Sequence, residues 1–226
     1  MRRLSLAAVM VLLFSAGALA QSVAVSGGVY LGSQRIGLGG DPVKSSALGF
    51  YASADAKFSG APVVVSGSFA TVSPDEVSGS TGSYAAEHTV STFDLLIAYR
   101  LHPHLAVGVG WISATLDVPA TPGIPAWTET AQGFALGVSG EYPVAAGVQA
   151  RGKLLYAPSA ESTFSWGGIT EKEPATMLGF VLSVSYSIAD NFSVEGGYRF
   201  TQFTVKEIDD VFLSTGGLFV GVTYSF

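Results

Sequence analysis

The sequence ends in Leu218-Phe219-Val220-Gly221-Val222-Thr223-Tyr224-Ser225-Phe226, and this stretch alternates without a break. Leu218, Val220, Val222, Tyr224 and Phe226 share one parity; Gly217, Phe219, Gly221, Thr223 and Ser225 share the other. Successive side chains leave a strand on opposite faces, so period two predicts a strand with one wholly apolar face. That face reads as one that touches lipid.

Upstream the same pattern recurs in segments at about 23–32, 47–58, 63–72, 91–101, 105–116, 131–142, 148–157, 176–186 and 192–203, which with 214–226 makes ten. Each is about as long as the 9 to 11 residues of a tilted membrane strand. Glycines are scattered through them where a helix would tolerate them poorly. Phe93, Leu95, Ile97, Tyr99 and Leu101 oppose Asp94, Ala98 and Arg100 in the fourth segment, again with no charge on the apolar parity.

Composition narrows the architecture. Hydrophobic residues make up 48% of the chain, charged residues 12%, cysteine is absent and the mean hydropathy is +0.43. Arg2 and Arg3, the apolar run Leu4 to Leu13 and the small residues up to Ala18-Leu19-Ala20 have the order of a cleavable secretory leader. This reading divides the chain into a signal peptide, 1–20, and one domain, 21–226. Beyond the leader no stretch approaches the roughly 18 consecutive apolar residues of a membrane helix. An apolar exported chain without helical spans must pair every backbone polar group between strands, which in lipid requires a closed barrel.

The connectors carry an independent signal because they alternate in length. Residues 59–62, 102–104, 143–147 and 187–191 are short; 33–46, 73–90, 117–130, 158–175 and 204–213 are long and rich in Gly, Pro, Ser and acids. Short periplasmic turns and long external loops are the asymmetry of outer-membrane barrels. The expectation is an all-β fold: a closed antiparallel transmembrane β-barrel of up-and-down topology, with ten strands and eight as the alternative count. A soluble sandwich also alternates, but its solvent face would carry more charge than this Gly-, Ala- and Ser-rich parity does.

Aromatic residues on the lipid parity gather at the segment ends, where amphipathic rings favour the membrane interface. Phe58, Tyr99, Tyr142, Tyr186, Phe192, Tyr224 and Phe226 form a predicted periplasmic belt. Phe50, Phe69, Phe93, Trp111, Phe134, Tyr156 and Phe180 lie toward the external rim.

The segment Val220 to Phe226, with a terminal Phe and an aromatic two residues before it, resembles the C-terminal strand of bacterial outer-membrane proteins. In that family this strand is the signal read by the barrel-assembly machinery. Over residues 21–226 the architecture is similar to the small OmpA-like and OmpW-like barrels. The resemblance implies insertion in the bacterial outer membrane, with its lipids and the assembly machinery as partners, and a monomer as the favoured state.

The lumen parity carries Lys57, Arg100, Arg151, Lys153 and Arg199 against Asp55, Asp94, Glu141 and Glu195, mostly toward the periplasmic half. Isolated buried ions cost several kcal/mol, so these nine form a predicted salt-bridge network that plugs the barrel, or a constriction around a water-filled pore. Ala106, Gly108, Gly110, Gly133, Ala135, Gly137, Gly179 and Ser183 leave room on one side, for water or for Tyr30 and Tyr51. The long connectors hold Arg35, Lys44, Lys172 and Lys206 against twelve acids, among them Asp75, Glu76, Glu87, Glu171, Glu173, Asp209 and Asp210. An acidic, solvated rim follows, and it disfavours nucleic acid.

Motifs for chemistry are weak. Gly147 to Lys153 has the G-x-x-x-x-G-K spacing, but Leu154 stands where Ser or Thr is needed and no helix follows. His102-Pro103-His104 suggests no third metal ligand. The paired motifs of the ten-stranded omptin proteases find no counterpart around His88, and the chain is short for that group. No acid, base and nucleophile stand at a recognisable spacing, so no catalytic residue, metal or cofactor is assigned. Function narrows to a small-solute pore or an envelope-stabilising protein. A surface adhesin or receptor acting through loop aromatics such as Tyr84, Trp127, Phe164 and Trp166 is the alternative, ahead of a membrane hydrolase or acyltransferase. Phe226→Asp is expected to lower the amount of assembled barrel in the outer membrane, checked by the heat-dependent gel shift of membrane fractions; unchanged assembly would remove the role given to this residue.

Overall fold

The structure is a computed structural model that describes residues 20–226 apart from 39, 40, 59, 75, 80, 81, 86, 122–124 and 207–210. Residues 1–19 of the leader therefore lie outside the described residues, as do Asp75, Asp209, Asp210 and the side chain of Tyr84, while Ala20 opens the first strand. Twelve strands follow in chain order: β1 (Ala20–Leu38), β2 (Val43–Phe58), β3 (Val63–Val72), β4 (Glu76–Gly79), β5 (Gly82–Ala85), β6 (Thr89–His102), β7 (Leu105–Val118), β8 (Trp127–Ala145), β9 (Val148–Trp166), β10 (Ile169–Ala189), β11 (Phe192–Val205) and β12 (Val211–Ser225).

Ten of them form one closed antiparallel ring in up-and-down order, in which β1 pairs with β2 on one side and β12 on the other. The closing seam runs from Ala24 opposite Ser225 to Leu38 opposite Val211. The small β4–β5 hairpin sits outside the ring and touches it through the Lys44–Ser78 pairing. All ten predicted segments are present, and the count is ten rather than eight. One end, here the turn end, carries the four short connections together with Phe226, whose amide donates to Val23 O at 2.8 Å. The other is the loop end.

Alternation sorts the side chains as the sequence implies. Val29, Leu31, Ile97, Val109, Leu136, Leu182, Leu218 and Val220 all point outward, with Phe134 exposed by 79% and Phe226 by 70%. From Leu218 to Phe226 the strand advances roughly 26 Å at about 3.3 Å per residue. Tilted by about 40° as barrel strands are, it rises roughly 20 Å, which covers most of the apolar band of about 25 Å that lipid demands. Ring pairs mark its edges: Tyr224 lies 4.8 Å from Phe192 and 4.7 Å from Phe226 at the turn end, and Trp111 lies 5.0 Å from Phe134 toward the loop end.

The long connectors are the main correction. Residues 158–166 and 169–175, read as one loop, are strand, joined by a two-residue turn. Gly167 (φ 56°) and Gly168 (φ 87°) both sit in the left-handed region that a tight hairpin turn of this kind requires. Most of 33–46 and 127–130 is strand as well. Above the lipid both faces of a strand meet water or polar neighbours, so the apolar alternation that signals a strand fades although the backbone pairing continues. Pro158 adds to the disguise: it has no N–H to give the ladder, and β9 slips register around it against both neighbours. Arg35, Lys44, Lys172, Glu76, Glu171 and Glu173 thus stand on strands rather than in loops.

Leu136→Arg is expected to destabilise the folded barrel by about 2–4 kcal/mol, the cost of a cation near the bilayer centre. Urea unfolding in lipid vesicles, followed by tryptophan fluorescence, measures it.

Candidate functional site

The interior divides into two zones. Toward the loop end every barrel strand contributes to one apolar cluster, including Ile36, Val72, Leu96, Ile112, Leu155, Met177, Phe203 and Leu213, each no more than 7% exposed. The small residues opposite them are not open space. A methyl group at Gly137 would collide with Leu96 and Leu155, and one at Gly179 with Ile112. Tyr30 and Tyr51 fold inward in the same way, against Gly32 and Gly221. Large and small side chains from facing strands interlock, so the water-filled volume expected beside the glycines is occupied by protein.

Toward the turn end lies a cavity of about 210 Å³. Seven of the nine predicted lumen charges line it: Asp55, Lys57, Arg100, Glu141, Arg151, Lys153 and Glu195. Asp94 and Arg199 lie just beyond its floor, around a void of about 10 Å³ shared with Lys153. Pro103 and His104, at the turn end itself, also line the large cavity, making it a vestibule.

The charges are only partly paired. Asp94 is the hub: it accepts from Lys153 and from Ser68 Oγ (2.5 Å), and Arg199 Nη2 stands 3.5 Å away. Arg199 also donates to Thr92 at 3.2 Å. Lys57 reaches across the interior to Glu141. Arg151 donates to Gln149 Oε1 at 2.9 and 3.1 Å. Glu195 accepts from the Thr223 hydroxyl at 3.3 Å, and that hydroxyl lies 2.7 Å from Ser26 Oγ. Arg100 and Asp55 make no side-chain ion pair among the described residues.

The seven belt residues lie on strand segments near the turn end, with Tyr99, Tyr142, Tyr186, Phe192 and Phe226 exposed and Phe58 and Tyr224 half-buried. The ring of Tyr142 also meets that of His104 edge-on at 5.2 Å.

With this geometry in view, comparison with known proteins is informative about shape. No protein-family model matches the sequence, and no curated protein does. The outer-membrane protease OmpT of Escherichia coli aligns over 91% of this chain and 96% of its own, at 13% identity and a TM-score of 0.56. Ail, the attachment invasion locus protein of Yersinia pestis, covers 91% of this chain and 98% of its own at 14% identity, with a TM-score of 0.45. Neisserial surface protein A covers 91% and 97% at 13% identity, with a TM-score of 0.43. The fold is that of a bacterial outer-membrane β-barrel. At 13% identity the likeness to OmpT concerns architecture alone.

Two buried polar groups in this barrel escaped the sequence reading. His88, assigned to a loop, is 5% exposed inside the loop end, with its Nε2 2.8 Å from Gln34 Oε1 and 3.2 Å from Ser45 Oγ. A nitrogen that donates to the amide oxygen keeps no lone pair for the serine proton, so this trio does not form a nucleophile and base in that tautomer. Glu129, also read as loop, is 6% exposed and accepts from Ser162 at 3.0 Å. Trp127 and Phe164 turn half inward, 5.6 Å apart, while Trp166 is 46% exposed. No group of three metal-binding side chains occurs among the described residues.

Asp94→Asn leaves Lys153 and Arg199 buried beside a neutral amide and is expected to cost about 3–5 kcal/mol. Lys172→Gln, which removes the exposed Lys172–Glu161 pair, should change stability by less than about 1 kcal/mol. Urea midpoints of the two variants test the contrast.

Proposed function

We propose that the protein is a closed, non-conducting scaffold of the bacterial outer membrane, exported by the leader at 1–20, which anchors a β-sheet extension outside the lipid. The observation that carries this reading is the apolar cluster at the loop end, to which all ten barrel strands contribute. Ions crossing such a layer would lose much of their hydration against apolar side chains, and its buried polar groups such as His88, Gln34 and Glu129 are already hydrogen-bonded, so on this reading the vestibule ends blind. A charge network on one side of a dry layer stabilises the barrel rather than selecting among ions. The aromatic belts and the apolar outer face supply the grip on the bilayer.

A surface-binding role is the second reading, favoured by the β9–β10 tip. Trp166 and Ile169 flank the Gly167-Gly168 turn, well beyond the lipid band, and are 46% and 56% exposed. Apolar side chains held out in water by a rigid hairpin are suited to contact with a partner.

Planar-bilayer recording separates a scaffold from a pore. The wild-type protein is expected to give no stable current, and Leu96→Gly combined with Leu155→Gly to give an intermittent one. A steady ion-selective wild-type current that falls when Lys57, Arg100 or Arg199 is neutralised would replace the scaffold with a pore.

A further inference from the structure

The vestibule has a polarity that the internal ion pairs leave unspent. With Lys57 held by Glu141, and Lys153 by Asp94, the remaining charges on its lining are Arg100, Arg151, Asp55 and Glu195. Their places in the ring are ordered. Asp55 on β2 and Glu195 on β11 flank the β12–β1 seam, whereas Arg100 on β6 and Arg151 on β9 flank β7 and β8. The midpoints of the two pairs are five strands apart in the ten-stranded ring, so the carboxylates occupy one half of the wall and the guanidinium groups the other, with Arg100 two strands from Asp55 and Arg151 two strands from Glu195.

Lys57 on β2 and Glu141 on β8 form an ion pair that crosses between these halves, but among the described residues no ion pair joins any two of the four remaining charges. Two guanidinium groups and two carboxylates thus line opposite halves of the 210 Å³ cavity without closing on one another. Charges near low-dielectric protein are costly unless something polar stands between them. Ser66 Oγ, buried and without a hydrogen-bond partner among the described residues, belongs to a residue that lines the same space. Tyr51 and Phe219, with ring centroids 4.5 Å apart, stand inward of the acidic wall, and Leu96 and Leu155 stand inward of the basic one. The site is thus dipolar and backed by apolar groups.

We infer that the vestibule binds a small zwitterion, with its ammonium end at Asp55 and Glu195 and its carboxylate end at Arg100 and Arg151. The volume is below the roughly 300–1,000 Å³ of drug-sized pockets, which fits an amino acid or a very short peptide. Guanidinium groups match carboxylates through paired N–H donors, and carboxylates accept ammonium protons, so each wall recognises one end. A simple anion or cation would satisfy one wall and leave the other unpaired. The inference is independent of whether the barrel conducts.

The test is calorimetric titration of the purified protein in detergent micelles with glycine, diglycine and triglycine, and with acetate and methylammonium as half-ligands. At least one zwitterion is expected to bind, with each half-ligand weaker by about tenfold or more. Arg100→Gln and Arg151→Gln should weaken the zwitterion by about tenfold while sparing methylammonium, Asp55→Asn should do so while sparing acetate, and Arg100→Lys should restore part of the loss. Circular dichroism and the heat-dependent gel shift establish that each variant is folded. If a variant does not fold, competition in the wild-type protein decides: acetate and methylammonium must each displace the zwitterion. No zwitterion binding at millimolar concentration, acetate binding as tight as the zwitterion's, or folded variants with unchanged affinity would overturn the proposal.

Discussion

Closure of the ring is the constraint on which everything else depends. A strand edge in hydrocarbon would leave a row of N–H and C=O groups without partners, at several kcal/mol each, so the first strand must meet the last. Here β1 spends both edges: Val29 stands opposite Val220 on one side and Phe50 on the other. Up-and-down order achieves this with hairpins alone, and the even strand number returns the last strand to the end where the first begins.

Once the outer face is given to lipid, all polar chemistry has to go inward. A ten-stranded ring lies between filled eight-stranded barrels and the open channels of sixteen or more, and here large side chains from one wall reach small ones on the other, as Leu96 and Leu155 reach Gly137. Packing of this kind fills much of the loop end with apolar side chains, while the nine lumen charges gather toward the turn end. The same narrowness brings Lys57 of β2 to Glu141 of β8 across the interior. It also leaves four charges on opposite halves of the wall with a cavity between them, an arrangement that no single strand contains.

Beyond the lipid band the physics changes. β8, β9 and β10 continue as a sheet in which pairing persists but burial on one face is no longer demanded. The segment Glu171-Lys172-Glu173 illustrates this: as sequence it reads as a charged loop, yet it runs opposite Phe164, Thr163 and Ser162 in a regular ladder. Charged side chains on such a strand also discourage unwanted pairing with other chains. His88 and Glu129 were read as loop residues for the same reason, because a buried polar side chain at the end of a barrel leaves no periodic trace.

What the sequence by itself determined was the membrane-facing architecture. The parity running through Leu218, Val220, Val222, Tyr224 and Phe226 recurs in ten segments, and with the short connectors it specifies strand number, topology, lipid face and aromatic belts, because lipid imposes period two along each strand separately. The inward placement of all nine lumen charges follows from the same parity. Only the tertiary structure decided which of them pair, that Arg100 and Asp55 do not, that an apolar cluster from all ten barrel strands packs inside the ring, and that β9 and β10 continue as strands beyond the apolar band. Those outcomes depend on contacts between residues tens of positions apart, such as the 59 that separate Asp94 from Lys153. A pattern local to one strand contains no record of what stands across the barrel from it.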